Sequence, residues 1–251
     1  NTLNENIKPI PDSIIDFSKW GDIEIISLNK IKRITGDRLQ EAWQNIPHVT
    51  QFDQTDITNL EKLRKTLKKI NQDKNIKVSI LPFIMKAVVK LLKEMPFFNS
   101  SLQNKEKLVL KKFYNIGIAI DTNDGLVVPV IQSVDKKSIK DLTKELTKIS
   151  HKARSKQLTP NNMNGGCFTI SSLGGIGGTY FTPIINPPEV AILGISRIEI
   201  KPVQIENKIH MRKFLPFSLS YDHRVIDGAD AARFTTRLGK ILSNLEELTF
   251  N

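Results

Sequence analysis

The chain has 251 residues, 39% of them hydrophobic, and a net charge of +11, which is enough for one large domain with a real core or for two small ones. No apolar run approaches the ~20 residues that cross a bilayer, and no secretory leader with a basic start and apolar centre is visible. The single cysteine, Cys167, excludes an internal disulfide and fits a reducing compartment. The charge invites a nucleic-acid reading, but only nine of the 37 basic residues are Arg, and the Lys are scattered. With no base-reading or stacking motif, a solvated basic surface is the better account.

Residues 1–16, with Asn, Pro and Asp and little periodicity, are expected to form a linker or arm, and 17–251 the core domain. An amphipathic segment runs from about Leu28 to Trp43. Pro47 to Asp53 is extended in character, with Val49 and Thr50 favouring a strand. Thr58 and Glu61 have capping-box spacing, and Leu60, Leu63, Leu67 and Ile70 repeat behind them at helical spacing. The next helix, Ile80 to Met95, is apolar nearly all round, with Pro82 in its first turn and Pro96 closing it, so it should be buried. Strands dominate from Leu108 to Val134, interrupted by a turn at Asp121 to Gly125. A helix over Ser138 to Ser155 places Ile139, Leu142, Leu146 and Ile149 on one side. Further strands centre on Phe168 to Ser171, Val190 to Ile198 and Phe214 to Ser220. A last helix from about Ala229 buries Phe234, Leu238, Ile241 and Leu245. The pattern predicts one α/β domain with helices covering a sheet.

Four histidines are the first candidates for chemistry. His48 sits in a strand-like segment, His151 on a polar helix face and His210 in a charged turn, and all three fit structural or surface roles. No pair has metal-ligand spacing, so no metal site is expected. His223 differs, because it stands where an apolar strand ends and a Gly-terminated turn begins, a common place for catalysis. Its imidazole can take and return a proton near neutral pH. Asp227 follows four residues later, and whether the two pair depends on the local backbone. Ser171 closes another strand, where its hydroxyl either satisfies the backbone or serves an oxyanion. Cys167 beside a catalytic histidine would suggest a nucleophile, but its run of strand formers points to a buried, inert thiol. Gly174, Gly175, Gly177 and Gly178 match neither a Walker nor a Rossmann spacing, and fit close packing or a loop.

Beyond single residues, the string Ser218-Leu-Ser-Tyr-Asp-His-Arg-Val-Ile-Asp-Gly228 resembles the active-site signature of the 2-oxo acid dehydrogenase acyltransferases, the E2 components. Gly165-Gly-Cys-Phe-Thr-Ile-Ser-Ser-Leu-Gly174, Thr182 to Gly194, and Asn115 to Asp121 with Gly125 to Val130 resemble further segments of that family, in order. The resemblance spans roughly residues 17 to 247. It implies a chloramphenicol acetyltransferase-like α/β sandwich, a mixed sheet covered by helices, that forms trimers and builds them into a cubic or dodecahedral core. It also implies acyl transfer between an S-acyl dihydrolipoyl group and coenzyme A, with His223 as general base, Ser171 donating to the oxyanion and Asp227 orienting the turn. In the family, the histidine and serine meet across a subunit boundary.

Ser171 to Thr179, followed by Phe181, resembles the acetyl-transferring type of the pyruvate dehydrogenase complex. Succinyl and branched-chain acyltransferases remain alternatives, as do a non-catalytic scaffolding subunit and a stand-alone acetyltransferase of a small molecule. The absence of a lipoyl-lysine motif and the linker-like start imply that lipoyl and partner-binding domains precede residue 1. Those domains would carry the lipoyl group and recruit the 2-oxo acid dehydrogenase (E1) and dihydrolipoamide dehydrogenase (E3). Neither nucleic acid nor membrane is an expected partner. The expected setting is a bacterial cytoplasm, or the mitochondrial matrix in a eukaryote.

Overall fold

A nearly continuous apolar stretch around Pro82 decides where the centre of the molecule lies. It folds as helix α3 (Leu81–Glu94), nine of whose 14 residues are buried. Pro82 occupies the first turn, where a missing N–H costs nothing. The structure, a computed structural model, describes residues 15–70 and 78–248; the expected linker lies outside them up to residue 14.

Ahead of α3, Asn29 caps α1 (Lys30–Asn45) by accepting from the Lys32 N–H at 2.8 Å. Only Ala42 of α1 is buried, and the segment before it exposes Trp20 by 74% and Ile25 by 87%. Strand β1 (His48–Asp56) follows, then α2 (Thr58–Ile70). The capping box expected at Thr58 and Glu61 does not form. Asp56 takes that role, accepting from the Thr58 N–H at 2.8 Å. The Glu61 carboxylate instead pairs with Arg64 at 2.6 Å, because a charged partner outcompetes a backbone N–H.

After α3 come the hairpin β2 (Ser100–Gln103) and β3 (Lys107–Leu110), then β4 (Ile116–Thr122), β5 (Gly125–Val127) and β6 (Val130–Ile131). Ser138 caps α4 (Ile139–Arg154), which buries Ile139, Leu142, Leu146 and Ile149 as its spacing predicts. Strands β7 (Phe168–Ser172), β8 (Ala191–Ile195), β9 (Glu199–Ile205) and β10 (Lys208–Asp222) precede the last helix, α5 (Gly228–Ser243). The strands order as β1-β10-β8-β7-β4-β5, with β6 on β4 and β9 on β10. β4, β7 and β8 run parallel, while β8, β10 and β1 are antiparallel. The sheet is therefore mixed, as expected.

One expectation fails in the β9–β10 arm. Its turn is Glu206–Asn207, both at positive φ (47° and 61°), the backbone of a tight hairpin turn. His210 is consequently not in a turn; it lies in β10 opposite Val203.

Register separates the two faces of the sheet, because laterally paired residues point to the same side. On one face Phe168, Ile170, Leu193, Phe217, Leu219 and Tyr221 form a single core with α3, α4 and α5. Phe234 of α5 anchors it, with Phe98 and Phe168 at centroid distances of 4.4 and 6.1 Å. The middle of the other face carries mostly small and hydroxylated side chains. One row across it reads Ala119, Ser171, Gly194, Ser218 and Phe52. Gly194 must be glycine, since a Cβ there would stand 2.5 Å from the Ser218 hydroxyl oxygen and 2.8 Å from the Phe181 ring.

Candidate active site

β10 stays in register with β1 as far as Asp222, and the chain then turns sharply into α5. The turn is built by Asp222 itself, which is only 2% exposed. Its carboxylate accepts from the Arg224 backbone N–H at 3.0 Å, and the Arg224 guanidinium grips it from two sides at 2.9 and 2.6 Å. His223 is thus held between two locked neighbours, while its own ring points outward and is exposed. Among the described residues neither ring nitrogen has a hydrogen-bond partner; the nearest ring is Tyr221, 5.8 Å away. Both ring nitrogens are thus open to a group from outside this chain. The sequence signal for Asp222 and Arg224 is an acid closing an apolar strand with an arginine two residues on.

Asp227 occupies the position before the first turn of α5, in extended conformation. Its carbonyl accepts from the Asp230 and Ala231 N–H groups, both at 3.0 Å. No hydrogen bond or ion pair joins Asp227 to His223 among the described residues. Both do share one turn, residues 222–228.

Ser171 lies elsewhere. It is half-buried on the small-residue face of β7 and pairs with Gly194, which pairs with Ser218 two strands from Ser171. His223 is five residues beyond Ser218 along β10. At ~3.4 Å per residue and ~4.8 Å per strand spacing, the two Cα atoms are on the order of 20 Å apart. No side chain bridges that gap, so one chain does not bring His223 and Ser171 together. At the Ser171 end, a cleft of about 930 Å³ opens between β4 and α4, lined by Asp121, Thr147, His151, Arg154, Ser172 and Ile176 among others. His151, on the exposed polar face of α4 as expected, is part of that wall.

The family described as 2-oxoacid dehydrogenases acyltransferase (catalytic domain) matches residues 21–250. The chain belongs to that family. The acyltransferase domain is 52% identical over 242 residues to the dihydrolipoyllysine-residue acetyltransferase component of the pyruvate dehydrogenase complex of Haemophilus influenzae, covering 95% of this chain and 43% of that protein. The chain therefore spans less than half of that relative. Among solved structures it superposes on the cubic core of a pyruvate dehydrogenase multienzyme complex with a TM-score of 0.92 and 50% identity, covering 96% of this chain and 99% of the other. The same TM-score, at 49% identity and the same coverage, relates it to an Azotobacter vinelandii dihydrolipoamide acetyltransferase (E2p) studied for the roles of a serine, a histidine and an asparagine in its catalytic mechanism. Chloramphenicol acetyltransferase shares the fold, with a TM-score of 0.52 at 14% identity, covering 87% of this chain and 99% of the other.

Within this acyltransferase domain Cys167 is fully buried. Its sulfur accepts from the Asn115 N–H at 3.1 Å and donates to the Asn115 carbonyl at 3.0 Å. Burial pushes the thiol up to about 11, so it stays protonated and inert. Gly174 does serve close packing, since a Cβ there would meet the Ser196 carbonyl at 2.9 Å, whereas Gly175 faces open space. No cluster of three metal-ligating side chains occurs, and no helix is long and apolar enough to cross a membrane, among the described residues.

Close to the start of β8 lies a second polar group that the sequence does not announce. Glu189 is 4% exposed, and neither its Oε2 nor the buried Lys111 Nζ has a hydrogen-bond partner. Burial raises the Glu189 carboxyl from its ordinary 4.5 to about 7 and lowers Lys111. Both shifts favour the neutral forms, so desolvation outweighs the attraction between the two. Between pH 4.5 and 7 the folded state holds a proton that the unfolded chain has released. Stability should therefore fall as pH rises through that window, by up to ~3 kcal/mol. Urea unfolding at pH 5 and pH 8 measures the difference, and Glu189→Gln should shrink it. An undiminished slope in that variant would assign it to other groups.

Proposed function

We propose that this domain transfers acetyl groups between S-acetyldihydrolipoyl and coenzyme A, as the core of a pyruvate dehydrogenase complex. The observation that carries the site assignment is a spacing. The serine, histidine and asparagine studied in the Azotobacter enzyme are separated by 52 and four residues, and so are Ser171, His223 and Asp227. Aspartate in place of asparagine retains an accepting oxygen and loses a donor. A role common to both residues therefore rests on acceptance or shape, which fits Asp227 as the residue that orients the turn.

In this reading the exposed imidazole of His223 takes the proton of the coenzyme A thiol as its sulfur attacks the thioester carbonyl. A thiol of pKa ~8.5 is only partly ionised at neutral pH, which is why a positioned base helps. The carbonyl π electrons move to oxygen, and the Ser171 hydroxyl donates to that oxyanion. When the intermediate collapses, the bond to the dihydrolipoyl sulfur breaks and this sulfur takes the proton back from His223. One acetyl group and one proton have changed places, and no covalent enzyme intermediate forms.

The ~20 Å separation within one chain supports a site completed by a second copy, whose Ser171 faces this chain's His223. The outward-facing apolar side chains ahead of and along α1, Phe17, Trp20, Ile25, Ile26 and Trp43, supply the kind of surface that self-association buries. A trimer built into a cubic particle is the arrangement that the likeness to the cubic core favours. Lipoyl, E1-binding and E3-binding functions belong in this reading to upstream domains, which the 43% coverage of the Haemophilus relative leaves room for. A bacterial cytoplasm, with its reduced thiols, suits a lone buried cysteine.

Turnover with acetyl-, succinyl- and isobutyryl-coenzyme A against dihydrolipoamide tests the reading. Acetyl should be preferred; a preference for either other acyl group assigns the domain to a different complex. Transfer to amine or hydroxyl acceptors but not to dihydrolipoamide would make it a small-molecule acetyltransferase.

A further inference from the structure

The turn that presents His223 is closed by a second histidine. The His223 backbone N–H donates to the Pro47 carbonyl at 3.1 Å, so the placement of His223 depends on the corner formed by Ile46, Pro47 and His48. That corner is held by the half-buried ring of His48. Its Nδ1 lies 2.8 Å from the Ile46 carbonyl oxygen, and its Nε2 lies 3.0 Å from the Ile185 backbone nitrogen. A backbone N–H can only donate, so Nε2 must be the bare nitrogen, and Nδ1 carries the proton given to Ile46. The Trp43 ring stacks on the imidazole at 5.5 Å. From Ile185 the chain runs to Val190, whose carbonyl accepts from the Asp222 N–H at 2.9 Å. The connections thus form a closed circuit from His223 through Pro47, His48, Ile185, Val190 and Asp222 back to His223.

We propose that His48, in its Nδ1–H form, is a positioning residue that fixes His223 for proton transfer. This rests on His223 being the base. An imidazolium has a donor on both nitrogens, so a protonated Nε2 would face the Ile185 N–H donor to donor and the bond would be lost. On β10, Asp222 stands opposite His48 in register and is already gripped by Arg224, and His223 follows it. Trp43 on α1 and Ile46 and Ile185 beside the ring bring no charge.

Three variants of the assembled protein test this, with kcat and KM measured from pH 5.5 to 8.5. His48→Phe keeps the stacking and removes both ring bonds; kcat should fall about 10–100-fold, the scale of a 1 Å misplacement of a reacting group, with KM nearly unchanged. His48→Gln places an oxygen where Nε2 accepts, and should restore most of the kcat that His48→Phe loses. Wild-type kcat in a folded His48→Phe, or a kcat in His48→Gln no higher than in His48→Phe, overturns the proposal. Should His48→Phe fail to assemble, His48→Asn, too short to reach the Ile185 N–H, replaces it, and equal kcat in His48→Asn and His48→Gln overturns the proposal. His223→Ala in parallel keeps the two ideas apart: an active His223→Ala removes the base assignment, whereas an inactive one beside an unaffected His48→Phe removes only the role of His48.

Discussion

Replacing His223 with alanine should lower kcat/KM for acetyl transfer by about 10²–10⁴-fold, the usual contribution of a general base, and leave the protein folded and assembled. The second half of that expectation comes from the geometry. The ring is exposed and makes no hydrogen bond among the described residues, while the turn is shaped by Asp222, Arg224 and the Pro47 carbonyl. Removing it takes nothing from the core, and surface truncations of this kind usually stay within ~0.5 kcal/mol. Sedimentation and steady-state kinetics on the same preparation are the measurement. Near-normal turnover in a correctly assembled variant would eliminate His223 as the base.

Ser171→Ala alone should cost about 10²–10³-fold in kcat, the loss of one oxyanion donor. The larger signal comes from mixing it with His223→Ala. Each parent lacks one half of every site. If sites are shared between neighbours, an interface is active when it takes His223 from the serine variant and Ser171 from the histidine variant. Random co-assembly at equal amounts makes about one interface in four complete, so activity should return to about a quarter of wild type. The subunits must first be dissociated and reassembled together, with mixing verified by mass spectrometry. If mixed assemblies are demonstrated and activity stays at the sum of the parents, both residues act within one chain, and the ~20 Å read from the strand register must close by rearrangement.

The parts of the fold that could be read in advance are those where one strong local signal meets no competitor. Helix α3 is one, since Pro82 and nine buried residues leave a single outcome. The Thr58–Glu61 pair had the right spacing for a capping box, yet Asp56 and Arg64 offered each partner a better bond, and spacing carries no information about such competition. The β9–β10 arm is not legible in the sequence for another reason. Its residues alternate between Ile or Met and Lys, Arg or His, but Ile209 and Met211 are exposed, so no buried face imposes a strand signature. At the site, the motif pointed to His223, Asp227 and Ser171. The anchoring by His48 was not legible, because its acceptor nitrogen meets Ile185, 137 residues away, and only the folded chain brings them together.

The placement of His223 and Ser171 at opposite ends of the strand stack also bears on how activity should respond to dilution. Two different surface patches that pair head to tail make a heterologous contact, which does not complete itself in a dimer. If sites are shared between neighbours, two chains joined once hold a single finished site and leave one histidine and one serine facing solvent; only a closed ring leaves no orphan. Specific activity should therefore decline on dilution at protein concentrations where every chain is still folded, and each subunit lost from a ring of three would silence two sites.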